Sequence, residues 1–405
     1  MWSKSSFKNT VLFFAALLVS CGNSQTLPLQ TTSTVKSESI NAPILTGATQ
    51  FERYAALLKD KKVGVLTNQT GIVQIGDQQL SIVDFLLEKG ISVTAIYAPE
   101  HGFRGTADAG ELVKNGKDTK TGLPIWSLYG NNKKPSKQQL ENIDILLFDL
   151  QDVGARFYTY ISSLHYAMEA CAEQNIPLIV LDRPNPNIHI VDGPTLELKN
   201  KSFVGMHPIP TLHGMTTGEY AQMINGEKWL TQGIQTNLTI IPCANYNRIT
   251  NYSLPVPPSP NLPNDQAINL YASLCFFEGT TVSSGRGTDL QFQIYGGPDL
   301  QNMPYQFTPQ PNSGAKSPMN MGKVCFGENL SQIPEVTQLE IKWLLKAYKS
   351  SKNQKGFFNN FFIKLAGTKT LQDQIEQGYS EEAIRKSWEP GLQSFLKTRK
   401  PYLIY

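Results

Sequence analysis

Asp144-Ile-Leu-Leu-Phe-Asp-Leu-Gln-Asp-Val-Gly-Ala-Arg156 joins an apolar run to a polar, glycine-containing loop. The run has no polar side chain between Asp144 and Asp149, which suits a strand covered on both faces. A helical pattern follows from Tyr158 to Gln174, with Ile161, Leu164, Met168 and Cys171 on one side. Pro177 to Leu181 is a second strand, opening into Asp182-Arg183-Pro184-Asn185-Pro186. The same theme precedes it. Lys62 to Thr67 is a strand before Asn68-Gln69-Thr70-Gly71, and Ser81 to Lys89 carries Ile82, Phe85 and Leu86 at helical spacing up to Gly90. Ile91 to Ala98 is another strand, and Glu100 follows it directly. Strands alternating with helices imply right-handed crossovers onto a parallel sheet. The expected fold is α/β: a Rossmann-like, doubly wound parallel sheet domain.

Beyond about residue 190 the texture changes. A helix over Thr217 to Glu227 and a strand over Leu238 to Ile241 are assigned to the first domain. Leu254-Pro-Val-Pro-Pro-Ser-Pro-Asn-Leu-Pro263 then packs five prolines into ten residues, which excludes a central strand and reads as a crossover. Helices are expected near Gln266 to Phe276, Glu335 to Tyr348 and Ser380 to Phe395, with a short strand over Tyr402 to Tyr405. These make a smaller, mixed α+β C-terminal domain. The division expected is a signal peptide over 1–20, a tether over 21–48, the Rossmann-like domain over 49–250 and the smaller domain over 251–405.

Lys4 and Lys8 precede an apolar stretch from Val11 to Val19 that is too short to span a bilayer, and Leu18-Val19-Ser20-Cys21 follows. The ending resembles a bacterial lipobox, with Cys21 the lipidated residue. Acyl chains there would anchor the chain to a membrane through the polar segment from Gly22 to about Ala48. The expectation is an exported lipoprotein of a bacterial cell envelope, facing the periplasm. With 405 residues, 40% hydrophobic and 17% charged, the chain is globular and large enough for two cores. A net charge of +3 without basic runs gives nucleic-acid binding no support. Cys171, Cys243, Cys275 and Cys325 are widely spaced without a CxxC pair and are expected to be buried thiols.

Several chemistries find no match. There is no GxSxG elbow, no GxGxxG after the first strand and no HExxH. The histidines show no metal-ligand spacing, so no cofactor and no metal is expected. Carboxylates and amides on strand-end loops remain, because such loops line the ligand crevice of open α/β sheets. Asn68, Glu100, Asp149, Asp152 and Asp182 are the set. The aspartates are equally well read as turn formers or helix caps. Glu100 is not, since Glu caps poorly and here stands between Pro99 and His101-Gly102, with Arg104 near enough to tune it. Arg156 and Tyr158 occupy the loop after the third strand. Arg286 lies in Ser283-Ser-Gly-Arg-Gly-Thr-Asp289, where flanking glycines let a guanidinium approach an anionic group closely.

Taken together, Val63-Gly-Val-Leu-Thr-Asn-Gln-Thr-Gly71, Pro99-Glu-His-Gly-Phe-Arg-Gly105, Phe148-Asp-Leu-Gln-Asp-Val-Gly-Ala-Arg-Phe-Tyr-Thr-Tyr160 and Leu181-Asp-Arg-Pro-Asn-Pro186 resemble the exo-β-N-acetylmuramidase family. Glu278-Gly-Thr-Thr-Val-Ser-Ser-Gly-Arg-Gly-Thr288 and the Tyr402 ending extend the resemblance over about Phe51 to Tyr405. It implies a glycosidase that removes N-acetylmuramic acid from the non-reducing end of peptidoglycan fragments, with its cleft between two domains. It also implies that Glu100 is the catalytic glutamate, and the needs of glycoside hydrolysis make general acid its expected role. Glu169, on the helix after the third strand, is mapped as the second carboxylate, with Asp152 in reserve. Arg286 or Arg183 would bind the lactyl carboxylate of the substrate. Asn68, Gln151 and His101 would hold its hydroxyl and acetamido groups. Two other readings compete: a non-catalytic muropeptide-sugar receptor, and a metal-assisted hydrolase built on Asp149, Asp152 and His101.

Overall fold

The computed structural model describes residues 42–100, 102–104 and 115–405. Cys21, the expected signal peptide, most of the expected tether and His101 lie outside the described residues. The first half carries β1 (Val63–Thr67), β2 (Ile72–Ile75), β3 (Gln78–Ser81), β4 (Val93–Ala98), β5 (Gly116–Lys117), β6 (Pro124–Ser127), β7 (Ile145–Asp149), β8 (Leu178–Leu181) and β9 (Leu238–Ile241). One sheet runs β5-β6-β4-β1-β7-β8-β9. All its neighbours are parallel except β5, which caps the edge antiparallel to β6. This is the doubly wound arrangement expected. Its central strands are buried along their whole length because each face meets its own apolar layer: Leu66, Leu146 and Phe148 on one side, Val63, Val65 and Leu147 on the other.

Helices cover both faces. They include α1 (Ile82–Glu88), α2 (Tyr160–Gln174) and α3 (Thr217–Gly226). Each starts where side-chain chemistry allows: Ser81 caps α1, and Thr216 with Glu219 forms a capping box on α3. The antiparallel hairpin β2–β3, with Gly76 and Asp77 at its tip, was not expected. The second half contributes α4 (Asp265–Leu274), the antiparallel strands β10 (Ile294–Gly297), β11 (Tyr305–Phe307) and β12 (Cys325–Asn329), then α5 (Lys342–Ser350) and α6 (Glu381–Arg399). Cys171, Cys243, Cys275 and Cys325 are buried free thiols, as expected.

Two expectations fail for local reasons. The helix expected from Glu335 begins only at Lys342, because side chains take the backbone donors first. Val336 N donates to Asn269 Oδ1 at 2.8 Å, Leu339 N to Asp192 Oδ2 at 2.9 Å and Glu340 N to Ser273 Oγ at 2.9 Å. The strand expected over Tyr402 to Tyr405 does not form either, since Ile404 N donates to the Glu219 carboxylate at 2.8 Å. This segment packs back on the first half. The Tyr405 hydroxyl donates to Asp182 Oδ2 at 2.7 Å and accepts from Cys243 N at 2.7 Å.

Candidate active site

Glu100 lies two residues beyond the end of β4, after Pro99, and Gly102 N closes a turn onto Pro99 O at 3.1 Å. Its carboxylate is half-buried and accepts hydrogen bonds from Tyr129 Oη at 3.0 Å and Thr159 Oγ1 at 3.2 Å. Thr159 is the N-cap residue of α2, yet its hydroxyl does not cap the helix. It serves Glu100 instead. One carboxylate is thus held from two other elements, which fixes its orientation.

Glu100 faces a cavity of about 480 Å³ between the two halves of the chain. Phe157, Thr159 and Phe203 line it from the first half, and Tyr271, Glu278 and Arg286 from the second. A smaller adjoining recess of about 60 Å³ is shared by Glu100, Tyr158, Tyr160 and Arg286. Glu278 sits in the short turn Cys275–Gly279 that continues α4. Arg286 lies between Gly285 at φ +83 and Gly287 at φ +80, conformations that an L side chain rarely adopts. The turn aims the guanidinium back, so that Nε and Nη2 both reach Glu278 Oε1 at 2.7 Å. Its face also lies over the Phe292 ring, 5.1 Å from the centroid. Burial opposes the charge on Arg286, but the Glu278 carboxylate outweighs it and raises the guanidinium pKa further.

Glu100, Tyr158 and Arg286 of the expected site are thus brought to one cleft. Most of the others are not. Glu169 lies nine residues beyond Tyr160, about 14 Å along α2, and faces away from the cavity. Its carboxylate accepts from Lys134 Nζ at 2.8 Å, Thr231 N at 2.9 Å and Thr231 Oγ1 at 2.6 Å. Burial alone would raise its pKa, but these donors outweigh it and lower the value to about 2. Glu169 is a structural clamp, not a second carboxylate of this cleft. Its contribution to stability is complete above the ordinary value of 4.5 and is lost as pH falls towards 2. Glu169→Gln should therefore lower the melting temperature at pH 6, with the deficit shrinking towards pH 2 and turnover unchanged.

Asp152 is buried behind the aromatic layer and lines neither cavity. Oδ1 accepts from Gly154 N at 2.7 Å, while Oδ2 has no partner among the described residues. Burial, opposed by the Gly154 and Val153 amides, raises its pKa from 3.8 to about 7. The folded chain thus binds a proton that the unfolded chain has released, and stability falls as pH rises through that window. Asp152→Asn should remove this loss. Melting temperatures of variant and wild type would diverge between pH 5 and pH 8, with the variant the more stable at pH 8.

The remaining candidates hold the scaffold together. Arg183 is consumed by Asp149, with Nε to Oδ1 at 2.6 Å and Nη2 to Oδ2 at 2.9 Å. That pair removes Arg183 as a substrate contact and Asp149 as an open metal ligand. Arg156 is fully buried and donates to the carbonyls of Pro194, Ile209 and Leu365. Desolvation lowers its pKa to about 9. Arg104 forks onto Asp118, at 3.0 and 2.9 Å from Nη2, and lines neither cavity. Gln151 donates to the carbonyls of Asp152 and Pro184. Asn68 donates to Tyr160 Oη at 2.5 Å, so it positions an aromatic of the recess without lining it. Tyr158 lines the recess but gives its proton to Pro258 O at 2.8 Å.

The crevice expected beyond β1 and β7 is therefore filled by the chain itself. A Cβ on Gly71 would meet Thr67 Oγ1 at 1.9 Å and Asp149 O at 3.0 Å, so the turn after β1 closes directly over the strand ends. The open cleft is displaced towards β4 and the N-terminus of α2. Thr159 and Glu278 were missed in sequence. One signal for Glu278 exists: a lone charge between Phe276-Phe277 and Gly279, eight residues before Arg286.

Two family models match the chain. That of the N-terminal part of the exo-β-N-acetylmuramidase NamZ covers residues 63–266, and that of its C-terminal part covers 269–405. The peptidoglycan β-N-acetylmuramidase NamZ of Bacillus subtilis strain 168 is 40% identical over 374 residues, 87% of this chain and 89% of the relative. A crystal structure of a DUF1343 family protein from Bacteroides fragilis superposes with a TM-score of 0.83 at 45% identity, covering 90% of this chain and 99% of the other. A second such protein from the same organism gives 0.76 at 27% identity, covering 89% and 99%.

Proposed function

The chain belongs to the exo-β-N-acetylmuramidase NamZ family, and from that membership we propose a reaction for the cleft at Glu100. The protein is an exo-acting β-N-acetylmuramidase that hydrolyses the bond of a non-reducing-end N-acetylmuramic acid in peptidoglycan fragments. The observation that carries the site assignment is Glu100, oriented by Tyr129 and Thr159 towards a cavity between the two halves of the chain. Its protonated carboxyl is the general acid that delivers a proton to the leaving glycosidic oxygen. Aromatic faces of Phe157 and Tyr271 suit a sugar ring. Arg286, with Nε and Nη2 committed to Glu278, keeps Nη1 for the lactyl carboxylate. Incubation of the purified domain with a disaccharide bearing non-reducing N-acetylmuramic acid should release the free sugar. No release by wild type would overturn the reading.

The place of work follows from residues 1–48. Lys4, Lys8, the apolar Val11 to Val19 and Leu18-Val-Ser-Cys21 support export and lipidation at Cys21, with the enzyme tethered to the bacterial envelope. Metabolic labelling with an alkynyl fatty acid should mark the wild type and not Cys21→Ser.

A further inference from the structure

Most glycoside hydrolases use a second carboxylate besides the acid, and Glu169 and Asp152 do not line the cleft. Glu278 does. We propose that Glu278, clamped by Arg286 on the wall contributed by the second half of the chain, is the base that activates the attacking water. This rests on the reading of Glu100 as the acid.

Three observations carry it. Among the described residues, Glu100 and Glu278 are the carboxylates that line the larger cavity, and they enter it from different halves of the chain. Glu278 Oε1 receives both Arg286 nitrogens at 2.7 Å, while Oε2 has no hydrogen bond among the described residues. One oxygen is therefore fixed and the other is left for water. The cavity of about 480 Å³ that both carboxylates line has room for a sugar ring with a water beside it.

In the step, the Glu100 carboxyl gives its proton to the glycosidic oxygen as the bond from C1 to that oxygen breaks. Water attacks C1 from the opposite face, and its proton passes to Glu278 Oε2. The products are the free sugar, inverted at C1, and the shortened fragment. Glu100 is left ionised and Glu278 protonated, and exchange with solvent restores both. Arg286 has a double task, since it fixes Glu278 and presents Nη1 to the substrate's anionic group.

The test compares Glu278→Gln with Glu100→Gln on a natural disaccharide and on a 4-nitrophenyl β-muramide. Gln at 278 still accepts from Arg286 but cannot take a proton. Glu278→Gln should lower kcat by about 10²- to 10⁴-fold on both substrates, because water attack is needed whatever the leaving group. Its melting temperature should fall, because Arg286 loses its counter-charge, but its affinity for N-acetylmuramic acid at a temperature where it is folded should stay near wild type, and Glu278→Asp should recover part of the rate. Proton NMR of the wild-type reaction should show the α-anomer first. A Glu278→Gln rate within about tenfold of wild type, a loss confined to KM, or initial release of the β-anomer would each overturn the base assignment. Those results would leave the muramidase reading intact so long as wild type releases the sugar.

Discussion

Glu100→Gln should cut release of N-acetylmuramic acid from a natural disaccharide by about 10²- to 10⁴-fold, the usual worth of a positioned general acid. The reason is chemical. A sugar alkoxide is a poor leaving group and must be protonated as it departs, whereas 4-nitrophenolate leaves without help. The same variant should therefore lose far less on the nitrophenyl muramide. Glutamine keeps the volume of the side chain and can still accept from Tyr129 Oη and Thr159 Oγ1, so the cleft should remain intact. Thermal unfolding and binding of the free sugar check that. Equal losses on the two substrates, or undiminished release from the disaccharide, would remove Glu100 from the role of acid.

The largest effect on stability is expected at Asp149. Asp149→Ala leaves the Arg183 guanidinium buried without its carboxylate, with the Ile72 carbonyl, 2.8 Å from Nη2, as the one remaining acceptor among the described residues. Breaking such a pair from one side costs about 3–5 kcal/mol. Urea unfolding at pH 7 reads it as a shift in midpoint. Removing both charges together, Asp149→Leu with Arg183→Met, should cost much less than the sum of the single changes, because neither charge is then stranded. A double variant as unstable as that sum would show that the pair acts through packing rather than charge.

The α/β fold was legible because its signal is local. β1, β4, β7, β8 and β9 are apolar runs bounded by polar loops, and each lies within two residues of its expected start. The site was legible only at Glu100, Tyr158 and Arg286. The other strand-end polar groups face the same crevice in a generic α/β sheet, but here they meet one another first. Whether Asp149 faces a ligand or Arg183 depends on how Gly71 folds the turn after β1, which no periodicity records. Glu278 was hidden for the opposite reason. Its importance arises from lining the same cavity as Glu100, which belongs to a distant segment that nothing in the linear pattern connects to it.

The return of residues 399–405 onto the first half has a consequence for how the chain reaches its fold. Asp182 and Glu219 are buried acids whose donors include Tyr405 Oη and Ile404 N, separated from them by 223 and 185 positions. A Rossmann-like sheet emerging first during synthesis would hold these carboxylates without those partners until the last helix had followed. Contacts of such separation are slow to form and leave an intermediate open to misassembly. The first half is therefore expected to wait, loosely packed, for the second. Synthesis halted before residue 399 should yield a protease-sensitive species rather than a finished domain.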